Sequence, residues 1–420
     1  MNLDHIYREQ FGRAVATTAR LIGDIGLAED AVHDAFADAL RTWHDRGLPD
    51  NPGAWITTAA RNRALDRLRR ESLRGRKESD AAMVAPRPVD DETPPVADDR
   101  LRLIFTCCHP ALTPQARVTL TLRLVCGLRT TEIARAFMQP EGTVAQRLTR
   151  AKAKIRIAGI PLRVPPPHLL PERLTDVLAC IYLVFAEGYS ATAGDQMVRP
   201  ELCAEAVRLG RLLCELMPDE GEAHALLALM LLNDSRRGER SGPTGELLTL
   251  EEQDRSRWDP ASIDEGMSRL RSAAALGRGP YLAQAAIAAA HARAPSFQRT
   301  DWRVIVGAYD DLMTWSASPA VRLNRAVAVG FLRGFEVGLA ELDEVAADHR
   351  VAEGHTLAAA RADLLRRLGR TSDAAVQYRL AISRVRNDQT RRYLQRRLDE
   401  LPDGADPRDQ RQIQSRDPAR

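Results

Sequence analysis

The sequence predicts an all-α fold, on three observations. Alanine, leucine and arginine, all good helix formers, dominate a chain in which only 5% of residues are aromatic. Apolar residues recur at spacings of three and four through most of it, and no segment alternates apolar and polar residues as a half-buried strand does. The long C-terminal part also repeats weakly at about 34 residues, the tetratricopeptide length, in which paired helices stack. With 420 residues, 44% of them hydrophobic and 28% charged, the chain is long and apolar enough for several cores and is not a disordered polymer.

Composition divides it. Residues 1–78 read as helices ending in the basic run "RNRALDRLRRESLRGRK". Residues 79–98, "SDAAMVAPRPVDDETPPVAD", are acidic and proline-rich with little to bury, and read as a linker. Helical patterning resumes over 99–162, and "PLRVPPPHLLPERL" breaks it again. A tetratricopeptide-like array is expected over 172–402 and a disordered tail over 403–420. The clearest repeat is "AAARADLLRRLGRTSDAAVQYRLAI", with Ala362, Leu365, Gly369, Ala374, Tyr378 and Ala381 at the small, large and glycine positions of a helical hairpin. At a second candidate, Ala206 and Pro218 close one repeat, while Leu227, Ala228 and Leu231 start the next.

The densest chemistry lies in "TTEIARAFMQPEGTVAQRLTRAKAKIRIAG" (130–159). A threonine-capped helix with Ile133, Ala134 and Phe137 inward is followed by a tight "MQP" turn, and Pro140 suits the first position of a second helix. There Val144, Leu148, Ala151 and Ile155 share one face. The other face shows Ala145, Gln146, Thr149 and Arg150, flanked by Arg147, Lys152, Lys154 and Arg156. Six cations and no carboxylate lie between Gly142 and Arg163. A lone basic helix is commonly just a solvated face. A short helix, a turn and a longer basic helix together form a helix-turn-helix, whose second helix enters the major groove while cations meet phosphates.

Other functional classes find little support. There is no GxGxxG, Walker or HExxH sequence, so neither catalysis nor a bound cofactor is expected. The six cysteines (107, 108, 126, 180, 203 and 214) form no CxxC pair. Cys107, Cys108, His109 and Cys126 read as core packing rather than zinc or a redox switch. Glu187, Tyr189 and Asp195 read as a helix-end turn or a contact surface. "RSRW" (255–258) is open between core tryptophan and partner surface. No leader-like or membrane-spanning apolar run is visible, and a cytoplasmic location is expected.

The segment 112–156, with "EIA", "GTV" and "RLTRA", resembles region four of extracytoplasmic-function (ECF) sigma factors. "GDIGLAEDAVHDAFADALRTW" (23–43) resembles their region two, and "NPGAWITTAARNRALDRLRR" (51–70) its promoter-melting continuation. "LRLIFTCCHPAL", "LVFAEGYSAT", "EEQDRSRWDP" and "LNRAVAV" resemble the sigma-factor group with a long tetratricopeptide-like extension. The resemblance implies two partners, core RNA polymerase and promoter DNA. It also implies a regulatory extension, for which an intramolecular contact with the sigma domains is a candidate.

Asp30, His33, Asp34 and Asp38, outward while Ala31, Ala35, Ala39 and Leu40 pack inward, would meet a basic helix of the polymerase clamp, unless they are simply solvated. Trp55, Arg61, Asn62, Arg63, Arg67 and Arg70, with Arg46 in the loop 44–52, would bind and melt the minus-ten element, where cations follow phosphates and aromatic surfaces hold unstacked bases. Trp55 is equally readable as core. Many relatives carry larger polar side chains after "GTV"; Ala145 here withdraws one contact and leaves Gln146 as the expected base reader of the minus-thirty-five helix. The alternative is a helix-turn-helix regulator that senses a ligand through its repeats.

Overall fold

The computed structural model describes residues 3–78, 99–137, 139–189, 200–242, 247–348, 354–385 and 388–402. The expected linker 79–98 and tail 403–420 lie outside them. The described residues form eighteen helices and no strand. The chain divides into two compact units: residues 1–188 with 199–218, and residues 189–198 with 219–420.

The first unit begins with three packed helices, α1 (Leu3–Ile22), α2 (Ile25–Arg46) and α3 (Pro52–Glu78). The Asp24 carboxylate accepts from the Leu27 N–H at 2.9 Å and starts α2. Gly47, at φ +79°, ends it where a side chain would be strained. Asn51 caps α3 by accepting from Ala54 N–H at 3.0 Å, and Pro52 takes its first position. Ala28, Val32, Ala35, Phe36, Ala39 and Trp43 form the buried stripe of α2. Leu40, expected inward, is 56% exposed. It lies about 100° round the helix from Ala39 and so leaves the stripe. Glu29 is instead inside, 4% exposed.

Four helices follow: α4 (Asp99–Cys107), α5 (Pro114–Leu120), α6 (Thr130–Ala136) and α7 (Glu141–Ile157). Between α5 and α6, Thr121–Val125 makes one π turn. This turn packs directly on α1. A Cβ on Gly12 would lie 3.1 Å from the carbonyl carbon of Val125, so only glycine fits there. A Cβ on Gly127, at φ +73°, would lie 3.3 Å from the Phe11 Cβ.

Two further helices, α8 (Leu170–Tyr189) and α9 (Pro200–Leu216), bury apolar residues in this first unit. Arg117 of α5 pairs with Asp176 at 2.6 Å, and Arg173 donates to the Phe105 carbonyl at 2.7 Å. The division between units falls near residues 188 and 218. Ala206 is buried in α9 of the first unit, whereas Leu227, Ala228 and Leu231 are buried in the next helix, within the second unit.

The second unit contains α10 (Gly221–Asp234), α11 (Pro260–Leu276), α12 (Pro280–Arg293), α13 (Trp302–Trp315), α14 (Pro319–Arg333), α15 (Phe335–Ala346), α16 (His355–Arg367), α17 (Thr371–Arg384) and α18 (Asp388–Asp399). Consecutive helices pack as hairpins. Ala362, Leu365, Ala374, Tyr378 and Ala381 share one core across α16 and α17, and Gly369 turns between them at φ +75°. These are the positions the repeat pattern picks out. Trp258 is buried and Arg255 donates to the Ala294 carbonyl at 2.9 Å, so "RSRW" braces the inside of this unit.

Candidate nucleic-acid interface

Helices α6 and α7 form the helix-turn-helix from local rules. Glu132 accepts from the Arg129 N–H at 2.7 Å, so the start of α6 is capped by this carboxylate and not by threonine. Pro140 stands just before α7, one position earlier than expected. Val144, Leu148, Ala151 and Ile155 are all buried. Ala145, Gln146, Thr149, Arg150 and Lys154 are exposed. Beside them an open groove of about 460 Å³ runs between α7 and the start of α5, lined by Thr113, Ala116, Gln146, Arg147, Arg150 and Lys154.

Two of the expected phosphate-binding cations are engaged within the unit. Arg147 donates to Thr119 Oγ1 at 3.4 Å. Lys152 Nζ donates to Glu29 Oε2 at 2.9 Å, joining the recognition helix to α2. The other carboxylate oxygen of Glu29 accepts from Arg123 Nε at 2.6 Å, and Arg123 also donates to the Leu128 carbonyl at 2.9 Å. His33 Nε2 touches Arg123 Nη2 and lies 3.6 Å from Glu29, with its ring against Phe11. Burial alone would push the Glu29 carboxyl up. His33 and the charges of Arg123 and Lys152 outweigh burial and bring it to about 2.

Neither Glu29 nor Arg123 stands out in the sequence as a functional residue. The available signal was a carboxylate on the apolar stripe of α2 and a guanidinium inside the apolar run "TLTLRLVCG". Each demands a buried partner. The π turn aims Arg123 at Glu29.

On α3, Arg61, Asn62, Arg67 and Arg70 are exposed, as is Arg46 at the end of α2. Arg63 pairs with Asp38 and lies 4.0 Å from Asp34, while Arg67 lies 3.6 Å from Asp30. The carboxylates expected to face polymerase and two cations expected to face DNA therefore partner each other. Such exposed pairs are worth only about 0–1 kcal/mol and are cheaply exchanged. His33 is turned toward Arg123, away from this acidic row. Trp55 is half-buried, edge-on to buried Trp43 at 5.4 Å, and serves at least partly as core.

Comparison with known families and proteins agrees with this geometry. The model of sigma-70 region 2 matches residues 7–74, and that of sigma-70 region 4 matches 102–155. A family of unknown function (DUF6596) matches 173–274. The probable ECF RNA polymerase sigma factor SigI of Mycobacterium tuberculosis is 30% identical over 35% of this chain and 52% of its own length. The ECF RNA polymerase sigma factor SigK of Mycobacterium sp. (strain KMS) is 28% identical over 34% of the chain and 75% of its own. The chain belongs to the ECF sigma factors. An uncharacterised protein of Rhizobium meliloti (strain 1021) is 39% identical over 93% of both chains, so the resemblance runs through the extension. No solved structure matches.

In this ECF sigma factor, α1–α3 are sigma region 2 and α4–α7 are sigma region 4. The family of unknown function starts on α8, which is packed against region 4. All six cysteines are buried thiols. Cys108 Sγ lies 3.6 Å from Thr121 Oγ1, itself 3.7 Å from Cys180 Sγ, so this pair lines the contact of region 4 with α8. Burial pushes the Cys107 and Cys126 thiols up. Among the described residues no group of three or more His, Cys, Asp or Glu side chains is placed to hold a metal, and no helix is long and apolar enough to cross a membrane. Glu187 and Tyr189 end α8; Asp195 lies outside the described residues.

Proposed function

We propose that this ECF sigma factor binds core RNA polymerase in the cytoplasm and directs promoter-specific initiation, with its helical extension as regulator and no catalysis of its own. The observation that carries this is the recognition helix. Its apolar stripe is buried, Ala145, Gln146, Thr149 and Arg150 are exposed, and Gln146 and Arg150 line an open groove. Gln146 reads a base edge; Arg150 and Lys154 meet phosphates. Arg61, Asn62, Arg67 and Arg70 follow the backbone of the minus-ten element, with Arg46 at the loop that receives an unstacked base. Asp30, Asp34 and Asp38 exchange their internal arginines for a basic helix of polymerase.

The described arrangement is the resting one. Lys152 is drawn onto Glu29, and α8 holds the region-4 side of that contact through Arg117–Asp176 and the packing of Cys180 around Thr121 and Cys108. Regulation then acts by loosening region 2 from region 4, which frees Lys152 and Arg123 for phosphate.

Transcription with purified core polymerase tests the main reading. Promoter-dependent initiation is expected only when this protein is added. Promoter binding without core binding would instead favour a helix-turn-helix regulator.

A further inference from the structure

The second unit contains a cavity that the sigma reading does not use. It has a volume of about 240 Å³, and α12, α13, α14, α16 and α18 all contribute to its wall. One side is aromatic. Trp302 and Phe331 stack at 4.3 Å and 9°, and Phe297 stands edge-on to both at 5.5 and 5.3 Å. Ile305, Val327 and Ala328 complete the apolar surface.

The other side is charged. Arg367 lies over the Phe331 ring, 4.7 Å from its centroid, and Arg397 stands beside it. Asp363 accepts from Arg367 Nε at 2.8 Å. The second carboxylate on Arg367 belongs to Glu251, whose turn is closed by Glu252 accepting from Thr249 N–H at 2.8 Å. Arg397 is itself paired with Glu400 at 2.8 Å, so without Glu251 it is Arg367, left with Asp363 alone, that would stand under-neutralised beside the aromatic wall. Asn324 and Tyr309 line the same cavity. His291 lines it too, and its Nδ1 is buried without a partner. Burial, with the nearby charges of Arg236 and Arg255, lowers the His291 imidazole to about 4, so the ring is neutral at physiological pH.

We infer that this cavity is a binding site for a small aromatic carboxylate, with Glu251 occupying the carboxylate position when the site is empty. The ring fills the slot against Trp302, Phe297 and Val327, and the carboxylate replaces Glu251 on Arg367. An aromatic body and a guanidinium–carboxylate pair side by side suit this class better than a neutral arene or an amine. The site stands on the second unit alone, so it is independent of promoter recognition.

Titration calorimetry on the full chain, with quenching of tryptophan fluorescence as a second readout, tests it. Benzoate and indole-3-carboxylate are the probes, and benzyl alcohol and benzylamine the controls. Saturable binding of at least one carboxylate, roughly tenfold or more tighter than either control, is expected. Arg367→Gln should abolish the preference for the carboxylate. Ala328→Phe should block the slot. Glu251→Gln should tighten binding, because the competing charge is gone, and this opposite sign separates a ligand site from damage to the fold. Absence of saturable carboxylate binding, equal binding of the controls, or weaker binding by Glu251→Gln with an unchanged melting temperature would each overturn the inference. None of these outcomes depends on transcription.

Discussion

Glu29→Gln is the most discriminating single change, because stability and DNA binding should move in opposite directions. The substitution keeps the shape of a side chain that is 4% exposed and removes the charge that holds Arg123 at 2.6 Å and Lys152 at 2.9 Å. Lowering the carboxyl from 4.5 to about 2 corresponds to about 3 kcal/mol at neutral pH. That matches the roughly 3–5 kcal/mol lost when one partner of a buried ion pair is removed. For a unit of this size it amounts to about 6–12 °C in melting temperature.

The sign with pH follows from the same shift. The folded carboxyl titrates below the unfolded one, so its contribution is complete above about pH 4.5 and disappears as the pH falls toward 2. Glu29→Gln should therefore flatten the acid limb of the stability profile over that window, as well as lowering stability at pH 7. Urea unfolding followed through Trp43 and Trp55, with hydrogen exchange on the 121–125 turn, reads both effects. In parallel, the freed Lys152 should tighten binding to duplex DNA and steepen its salt dependence by about one phosphate contact. Unchanged stability and an unchanged acid limb would refute the buried cluster. A normally folded variant with weaker DNA binding would refute the resting-state reading.

Three further outcomes are expected. Gly12→Ala drives a methyl into the backbone at Val125, which cannot retreat like a side chain; a loss of about 1–3 kcal/mol should appear in chemical unfolding. Arg150→Ala should weaken binding almost equally on all sequences and reduce the salt slope by about one, whereas Gln146→Ala should chiefly relax selectivity at one base pair of the minus-thirty-five element, as read by competition binding. A fragment ending at residue 218 should fold cooperatively. One ending near residue 165 should melt lower and aggregate, because it strips Asp176 from Arg117 and uncovers the packing around Cys108.

Local order determined much of this protein. The helical class, the helix-turn-helix with its buried stripe at Val144, Leu148, Ala151 and Ile155, and the hairpin around Gly369 all follow from periodicity and capping, which act within a few residues. So does the identity of the exposed positions on the other face of α7. Tertiary structure alone decided what the charges do. Asp30, Asp34 and Asp38 lie about 30 residues before Arg63 and Arg67, and nothing local says that these charges meet across α2 and α3. Glu29 reaches Arg123 and Lys152 across 94 and 123 positions, and only the π turn and the glycine contact at Gly12 bring them together. The same holds for α8 and α9. Their patterning is that of any amphipathic helix, and apolar stripes do not name their partners. Charge pairing and the limits of one core do, and both exist only once the chain is folded.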